Sequence, residues 1–344
     1  MSTVYLTEPE ATLRQAGNHL VVTAPRDCPD AGVRERTLLD IKPHLIEGIT
    51  LVGRTHITSN ATRFCLRQGI PVAWLSRSGD YLGRLTPEMN RNADLRLCQC
   101  AAALDPAERL RFATKIVAAK AHNAAVALEI ARSNHTGIPA LGAAIRALRK
   151  AAGAMEQCGD LEQLRGLEGD AARKYFSGLA AVMKQDNIPF SARRKHPATD
   201  PANAMLSFGY VLFTNLIAGA LEARGLDPAV GFYHEPRSGR SSLALDILEE
   251  FRHPFIDRFV VSIANRRILT PEHFQEHPEL NGAVRMTSEG RVKFFTAWEK
   301  RLLEPLRQHD GNTGMTPLDI MRRQVDRIAA AVRQPHEYEP FLAG

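Results

Sequence analysis

The spacing of the hydrophobic residues changes near residue 90, and this change limits the possible folds more than any other feature. Before it, short runs rich in β-branched and aromatic residues alternate with Asp, Gly, Pro and Ser, as in strands joined by turns. After it, apolar residues recur three and four positions apart in long Ala-rich segments, which is the spacing of amphipathic helices. The sequence therefore predicts an α+β fold, with a small N-terminal β-sheet domain (1–90) followed by a larger all-α C-terminal domain (91–344).

Acidic residues followed by proline mark the start of two long helices. Asp105 precedes Pro106, and Asp200 precedes Pro201, which is the favoured order of a capping side chain and a first-turn proline. After the helix that starts at Pro106, the predicted helices cover residues 139–157, 166–184, 201–223, 241–252, 288–308 and 316–333.

Composition and charge indicate a soluble, cytoplasmic protein. The chain has five cysteines without a CxxC pair, which disfavours a disulfide framework and a zinc ribbon. The N-terminus is polar, and no apolar run approaches the about 18 residues of a membrane span, so no membrane association is expected. The net charge of +6 is compatible with nucleic acid as a partner, although many basic proteins bind none.

A glutamate interrupts the apolar face of the helix that contains "LEGDAARKYF". Steps of three and four residues from Glu168 reach Ala172, Tyr175 and Leu179, so its side chain is expected to point inward. One interpretation is a functional carboxylate. The other is a glutamate in the first helical turn that interacts with the helix dipole.

The stretch "GFYHEPRSGRSSLALDILEEFR" places a histidine and a small-residue loop before a helix with three carboxylates. Asp246 and Glu249 are three residues apart and therefore share one face, which borders the apolar ridge of the helix. Glu250 is expected to lie nearer to solvent. The pair is either a solvated acidic edge or the wall of a cation site, because buried charges persist when they are paired or bound to metal. His234 is either a packed residue or a ligand at that site.

Two or three carboxylates with one imidazole favour Mg²⁺ or Mn²⁺ over zinc, which prefers nitrogen and sulfur ligands. On the cation-site interpretation, the helical domain carries a divalent-metal site built from Glu168, His234 and the pair at 246 and 249. The spacing alone leaves the alternative open, in which these side chains are a helix-dipole glutamate, a packed histidine and a solvated acidic edge.

Basic residues surround the predicted site. They are Arg193, Arg194 and Lys195 in a proline-containing loop, and Arg237 and Arg240 after the histidine. Such a run is often only solvated, but beside a divalent ion it is typical of contacts to a phosphate backbone. Carboxylates, a metal and arginines together indicate phosphodiester chemistry, in which the ion polarises the phosphate and cations offset the developing charge.

The chain resembles a known family over essentially its whole length, because several of its motifs match that family in combination and in order. They are "GITLVG", "SGDYLGRL", "LEGDAARKYF", "RRKHPATDPANAMLSFGY" and "GFYHEPRSGRSSLALDILEEFR". The family is that of the CRISPR-associated spacer-acquisition integrase, the larger of the two universal adaptation proteins and also a metal-dependent DNA endonuclease. The sequence is most similar to members that accompany type I systems.

The resemblance implies a β domain followed by a helical domain, and homodimers whose interface is expected in the N-terminal domain. It also implies a complex with a dimer of a small second adaptation protein. The complex inserts short DNA fragments at the leader end of a repeat array, with the 3′-hydroxyl of the incoming double-stranded DNA as the attacking group. The reaction is thus a transesterification, and hydrolytic nicking of DNA also occurs.

The family's motifs assign roles to individual residues. The resemblance implies Glu168, His234 and Glu249 as metal ligands, and Asp246 as a supporting acidic residue that completes the catalytic set. Many relatives have Asp where this chain has Glu249, which keeps the oxygen ligand and lengthens its reach. DNA positioning and scaffolding of the site are assigned to the region of Arg193, Arg194 and Asn203.

Two other functions stay open from the residues alone: a general metal-dependent DNA phosphodiesterase, and a non-catalytic nucleic-acid-binding assembly protein. The C-terminal segment "HEYEPFLAG" lies beyond the last predicted helix. With Tyr338 and Phe341 it is a candidate docking segment for the second protein, and the alternative is a disordered tail.

Overall fold

The computed structural model describes residues 2–28, 32–76, 81–86, 92–134, 138–183, 186–195, 197–306, 314–333 and 338–344. The chain forms two compact units. Unit 1 consists of Met1–Met89 and Arg285–Glu299, and unit 2 of Asn90–Val284 and Lys300–Gly344.

Unit 1 is built on two mixed four-stranded sheets in its described part. Its elements are β1 (Ser2–Leu6), β2 (Thr12–Ala16), β3 (His19–Cys28), β4 (Gly32–Ile41), β5 (Ile46–Val52), β6 (His56–Ile57), α1 (Ser59–Arg67), β7 (Val72–Leu75) and β8 (Tyr81–Leu85). The strand orders are β1-β5-β7-β8 and β4-β3-β2-β6. β5 pairs in parallel with β1 and β7, and its residues Ile49, Leu51 and Val52 are buried. This burial of successive residues is typical of a strand covered on both faces.

Unit 2 is mostly helical, which confirms the predicted α+β class. The helices from residue 92 onward, of which α9 lies largely in unit 1, are α2 (Ala93–Leu104), α3 (Pro106–Asn134), α4 (Pro139–Glu156), α5 (Leu161–Val182), α6 (Pro201–Arg224), α7 (Ser242–Phe251), α8 (Arg258–Asn265), α9 (Ser288–Leu303) and α10 (Pro317–Ala331). Asp105 Oδ1 accepts a hydrogen bond from the Ala107 amide at 2.8 Å. Asp200 Oδ1 accepts one from the Asn203 amide, also at 2.8 Å. Both predicted N-caps are therefore confirmed.

Two features of the second half differ from an all-helical prediction. β9 (Phe274–His277) and β10 (Ala283–Met286) form a two-stranded sheet. The segment Arg285–Glu299, which the predicted boundary at residue 90 assigns to the helical domain, belongs to unit 1. Its Phe295 ring stacks on Tyr5 of β1 with 4.3 Å between centroids. Because the partners are almost 300 residues apart in the chain, local periodicity carries no signal of this contact.

Helix α6 is long and apolar enough to cross a membrane, with a mean hydropathy of 1.6 over its most apolar window. However, 61% of that window is buried inside the protein, and the helix packs with α7 and α10. A helix that is apolar all round is expected in the core of a large globular protein as well as in a membrane.

A π-helical turn, Arg252–Asp257, joins α7 to α8. Pro254 lies in this turn and has no amide hydrogen, so it cannot donate to the carbonyl of Glu250 four residues earlier. Asn123 of α3 supplies the missing donor, with Nδ2 2.8 Å from that carbonyl oxygen. The interruption therefore attaches α7 to α3, and π turns of this kind are frequent at functional sites.

Candidate metal centre

Glu168 lies about two turns beyond the start of α5 rather than in its first turn. Asp160 caps the helix by accepting a hydrogen bond from the Gln163 amide at 2.8 Å, so α5 begins at Leu161, earlier than the predicted residue 166. The interpretation of Glu168 as a first-turn residue stabilised by the helix dipole is therefore wrong. Its side chain is 22% exposed, on the same side of the helix as the buried Tyr175.

Asp246 is fully buried and organises the segment that carries the histidine. Its Oδ2 accepts the amides of Phe232 at 2.6 Å and Tyr233 at 3.0 Å. Its Oδ1 lies 2.8 Å from the His234 amide and 2.7 Å from His234 Nδ1. Because Asp246 accepts the hydrogen bond from Nδ1, Nε2 carries the free lone pair, which is the usual arrangement of a metal-binding histidine and its carboxylate partner.

Gly231 allows the segment to approach this close to α7. A Cβ atom at this position would lie 2.8 Å from the Ser242 carbonyl carbon and 2.9 Å from Asp246 Oδ2. Both distances are shorter than normal van der Waals contact, so no larger residue fits without a shift of the loop or of the helix.

Glu249 projects from α7 toward three cationic or imidazole groups. Its side chain is 4% exposed, Lys120 Nζ lies 2.8 Å from Oε2, and Arg252 Nη1 lies 3.2 Å from Oε1. His234 Nε2 is 4.0 Å from Oε1. Burial by itself would raise the pKa of Glu249, but the charges of Arg252 and Lys120 outweigh it and hold the pKa below its ordinary value. The carboxylate is therefore ionised at neutral pH.

Lys120 of α3 connects the two acidic side chains that come from distant parts of the chain. Its amino group contacts Glu168 as well as Glu249. Sequence reasoning missed this lysine, although it lies between the inward-facing Val117 and Ala124 in the three-and-four spacing of α3. The criterion that identified Glu168, a charged residue on the apolar face of a predicted helix, also applies to Lys120.

These side chains fit a divalent ion by their chemistry. Two carboxylates and one imidazole with a free Nε2 are suitable for Mg²⁺ or Mn²⁺, and a carboxylate on Nδ1 is the expected support. Within the part of the chain that the structure describes, however, no three His, Cys, Asp or Glu side chains stand together at metal-binding spacing. The structure brings His234, Asp246 and Glu249 together, and it links Glu168 to them through Lys120.

A buried polar network of Tyr210, His253 and Asp257 lies next to Arg252. The Arg252 guanidinium lies 4.4 Å from the centre of the Tyr210 ring. The Tyr210 hydroxyl donates to Asp257 Oδ1 at 2.5 Å, and His253 Nδ1 lies 2.7 Å from Asp257 Oδ2. Burial raises the pKa of Tyr210 and lowers the pKa of His253, so both are neutral. The π turn thus places the cation beside Glu249.

The predicted DNA-contacting residues of the loop before α6 have different surroundings. Arg193 is bound within the protein, with Nη1 2.7 Å from Asn203 Oδ1 and Nη2 2.9 Å from Ser207 Oγ. The Arg193 guanidinium therefore fixes the loop to α6. Arg194 and Lys195 are exposed. Loss of water around its amino group and the charge of Arg252 lower the pKa of Lys195, and the charge of Glu249 acts in the opposite direction.

The loop that follows His234 is open to solvent. Arg237 is exposed and Arg240 is half-buried. Glu235 accepts a hydrogen bond from Arg165 of α5 at 2.9 Å. This ion pair attaches the loop to the helix of Glu168.

Two predictions about the far side of α7 are wrong. Glu250, expected near solvent, is fully buried and accepts hydrogen bonds from the Tyr338 hydroxyl at 2.5 Å and the Phe341 amide at 2.7 Å. Tyr338 and Phe341, proposed as a docking segment, are 1% and 2% exposed. The Phe341 ring stacks on Phe251 with 5.3 Å between centroids. The described tail residues are thus part of the core of unit 2, and no local pattern in the sequence indicates which polar groups they meet.

Comparisons with known proteins agree with this architecture. The family model described as "CRISPR associated protein Cas1" matches residues 4–300. The "CRISPR-associated endonuclease Cas1 3" of Thermus thermophilus is 36% identical over 307 residues, which cover 89% of this chain and 86% of the relative.

Solved structures show the same fold at lower identity. A "Casposase bound to integration product" superposes with a TM-score of 0.83 at 22% identity, over 99% of this chain and 93% of that chain. A chain of a "Cas6-RT-Cas1--Cas2 complex" superposes with a TM-score of 0.76 at 22% identity, over 100% of this chain and 36% of that chain. With a family model that matches most of its length and curated relatives above 30% identity, this chain belongs to the Cas1 family of CRISPR-associated proteins.

Proposed function

We propose that this chain is a Mg²⁺- or Mn²⁺-dependent DNA endonuclease and integrase of CRISPR adaptation. The 3′-hydroxyl oxygen of a short DNA fragment attacks a phosphodiester of the repeat, a new P–O bond forms, and the 3′-oxygen of the repeat strand leaves. The protein acts in the cytoplasm as a homodimer, in complex with a small second adaptation protein. That this protein accompanies a type I CRISPR system stays a prediction from sequence resemblance.

The observation that carries this proposal is the pairing of His234 with Asp246 beside the ionised Glu249. Asp246 binds His234 through Nδ1, so Nε2 points away from Asp246. The cations near Glu249 keep this carboxylate charged although it is buried. A histidine oriented in this way, next to an acidic side chain, is arranged to bind a cation. The 36% identical relative is named an endonuclease, and the similar casposase is bound to an integration product. Both support the reaction class.

The proposed roles follow from the contacts. Glu168, His234 and Glu249 hold the ion, and Asp246 holds the imidazole tautomer and the loop. When bound, the ion would polarise a phosphate oxygen and lower the charge on the attacking and leaving oxygens. Basic groups near the site, Lys195 among them, offset the negative charge that develops on the phosphoryl oxygens.

DNA and a small partner protein are proposed because proteins of similar fold are found with them. A "TtCas1-DNA complex" superposes on this chain with a TM-score of 0.53, and another similar chain comes from a complex of Cas1 with Cas2. The exposed Arg194, Lys195 and Arg237 are proposed contacts to the phosphate backbone. Half-buried Arg240 is assigned there too, while Arg193 contributes mainly by fixing the loop.

Strand transfer by the purified protein tests the proposal. Wild type with Mn²⁺ is expected to join a labelled 3′-end to a repeat substrate, and EDTA is expected to abolish joining. His234→Ala and Glu249→Ala should lower the joining rate by at least about a hundredfold, since each removes a ligand. Glu156→Ala, which removes an exposed carboxylate at the end of α4, is the matched control and should be unaffected.

Other outcomes identify the alternatives. Metal-dependent cleavage that is indifferent to DNA form, without joining, would indicate a general phosphodiesterase. DNA binding with neither cleavage nor joining would indicate an assembly protein. Full strand transfer by His234→Ala would refute the assignment of the site.

A further inference from the structure

Lys120 bridges the two acidic ligands of the proposed metal site. Its amino group contacts Glu168 and lies 2.8 Å from Glu249 Oε2. The Lys120 side chain is 7% exposed, so this ammonium group compensates carboxylate charge inside the protein, where water contributes little. Such a position is costly for a lysine unless it is paired.

The backbone around Lys120 is fixed by polar contacts to two other segments. Asn123, one turn along α3, donates from Nδ2 to the carbonyl of Glu250 at 2.8 Å and to the carbonyl of Phe341 at 2.9 Å. Its Oδ1 accepts the Ala343 amide at 2.8 Å. α3 is thereby held against α7, which carries Glu249, so Lys120 is directed at this carboxylate by the packing of the two helices.

A divalent ion and the ammonium group would use the same two carboxylates. Mg²⁺ requires oxygen ligands at about 2.1 Å, whereas an ammonium nitrogen lies about 2.8 Å from the oxygens that it binds. Glu168 and Glu249, which would hold the ion, are the two residues whose carboxylates Lys120 Nζ contacts. The two like charges would also repel strongly in this buried setting.

We propose that Lys120 is an internal counter-cation that competes with the divalent ion for Glu168 and Glu249. The ammonium group stabilises the pair of carboxylates before metal binds, and it must withdraw when the ion enters. Lys120 therefore weakens metal affinity and makes occupancy of the site depend on the free metal concentration. This inference rests on the proposed function for the existence of the metal site.

Mn²⁺ binding to the full-length protein, measured by calorimetry and by paramagnetic resonance of free Mn²⁺ at pH 8, tests the proposal. Lys120→Met removes the charge and keeps an unbranched side chain. Its Mn²⁺ affinity is expected to rise by at least about tenfold, because a repulsive neighbour is lost. Lys120→Arg, which keeps the charge, should show no such gain. Lys150→Met, an exposed lysine of α4, is the control for loss of a lysine and should match wild type.

Thermal melting gives a second readout that does not need activity. Without metal, Lys120→Met should melt below wild type because Glu168 and Glu249 lose their common partner, and Mn²⁺ should raise its melting temperature more than that of wild type. If the variant is unfolded without metal, recovery of its circular dichroism on Mn²⁺ addition supports the proposal, and absence of recovery overturns it.

Failure of this inference is distinguishable from failure of the proposed function. If wild type binds Mn²⁺ in a manner that His234→Ala abolishes, and Lys120→Met binds with equal or lower affinity, then only the competition by Lys120 is refuted. If neither wild type nor Lys120→Met binds Mn²⁺, the metal site itself is refuted and both proposals fall.

Discussion

Removal of the Phe341 ring should destabilise unit 2, because the structure places this tail residue in the core. Phe341 is 2% exposed and stacks on Phe251 of α7. A buried phenylalanine removes roughly 200 Å² from water, which at about 25 cal/mol per Å² corresponds to roughly 5 kcal/mol. A chain end can relax into the cavity, so we expect a loss of about 3–5 kcal/mol for Phe341→Ala.

Urea unfolding with two probes is the appropriate assay, since a chain with two units need not unfold in one step. Both tryptophans, Trp74 and Trp298, belong to unit 1, whereas far-UV circular dichroism is dominated by the helices of unit 2. Phe341→Ala should shift the circular dichroism midpoint downward by about 1 M or more, taking roughly 3 kcal/mol per M as the slope. The fluorescence midpoint should move less.

Leu342→Ala provides the control, because Leu342 is the half-buried neighbour of Phe341. It should cost clearly less than Phe341→Ala. A loss below about 0.5 kcal/mol for Phe341→Ala, which is the size of an ordinary surface substitution, would refute the burial of the tail. The tail would then again be a candidate docking segment.

Three further perturbations test the packing and electrostatics of the two units. Gly231→Ala introduces a Cβ 2.9 Å from Asp246 Oδ2. Strand transfer should therefore fall by at least about tenfold, while far-UV circular dichroism keeps its helical signal. Unchanged strand transfer would show that the loop can shift to accommodate the methyl group. Asp246→Asn keeps the shape of the side chain but weakens its hydrogen bond with His234 Nδ1. The affinity for Mn²⁺, measured by calorimetry, should therefore fall about 10–100-fold. An affinity equal to that of wild type would show that Asp246 does not orient His234. Burial raises the pKa of Glu299 to about 7, so the folded protein retains a proton that the unfolded chain releases. The stability that this raised pKa contributes is fully present below about pH 4.5 and is lost as pH rises through 7. The urea midpoint, measured by tryptophan fluorescence, should therefore fall more steeply between pH 5 and 8 in wild type than in Glu299→Gln. Parallel curves for the two proteins would contradict this.

The parts of the site that the sequence predicted depend on local spacing. The three-and-four period placed Glu168 on an inward face, and the spacing of Asp246 and Glu249 placed both on one side of α7. Capping chemistry located the starts of α3 and α6 at Asp105 and Asp200. Each of these signals lies within one or two helical turns, where side-chain direction follows from helix geometry alone.

The parts that the sequence missed depend on contacts between distant segments. Lys120 meets Glu249 across 129 positions of the chain, and Glu250 meets Tyr338 across 88 positions. A periodic pattern shows that a charge points inward, but it does not show which partner makes that burial tolerable. The prediction that Glu250 faces solvent was wrong for this reason, because an acidic residue without a visible partner is normally assigned to the surface.

The three carboxylates of α7 are tolerated because each one faces a different partner. Successive helical residues are rotated by about 100°, so Glu249 and Glu250 point to different sides although they are neighbours in the chain. Asp246 binds the amides of the His234 segment, Glu249 meets Lys120 and Arg252, and Glu250 accepts hydrogen bonds from the C-terminal tail. Asn123 contacts both the Glu250 carbonyl and the tail. The tail and the helix that positions Glu249 therefore share hydrogen-bond partners. The three charges that look misplaced in the sequence are the residues through which α7 is bound to its neighbours.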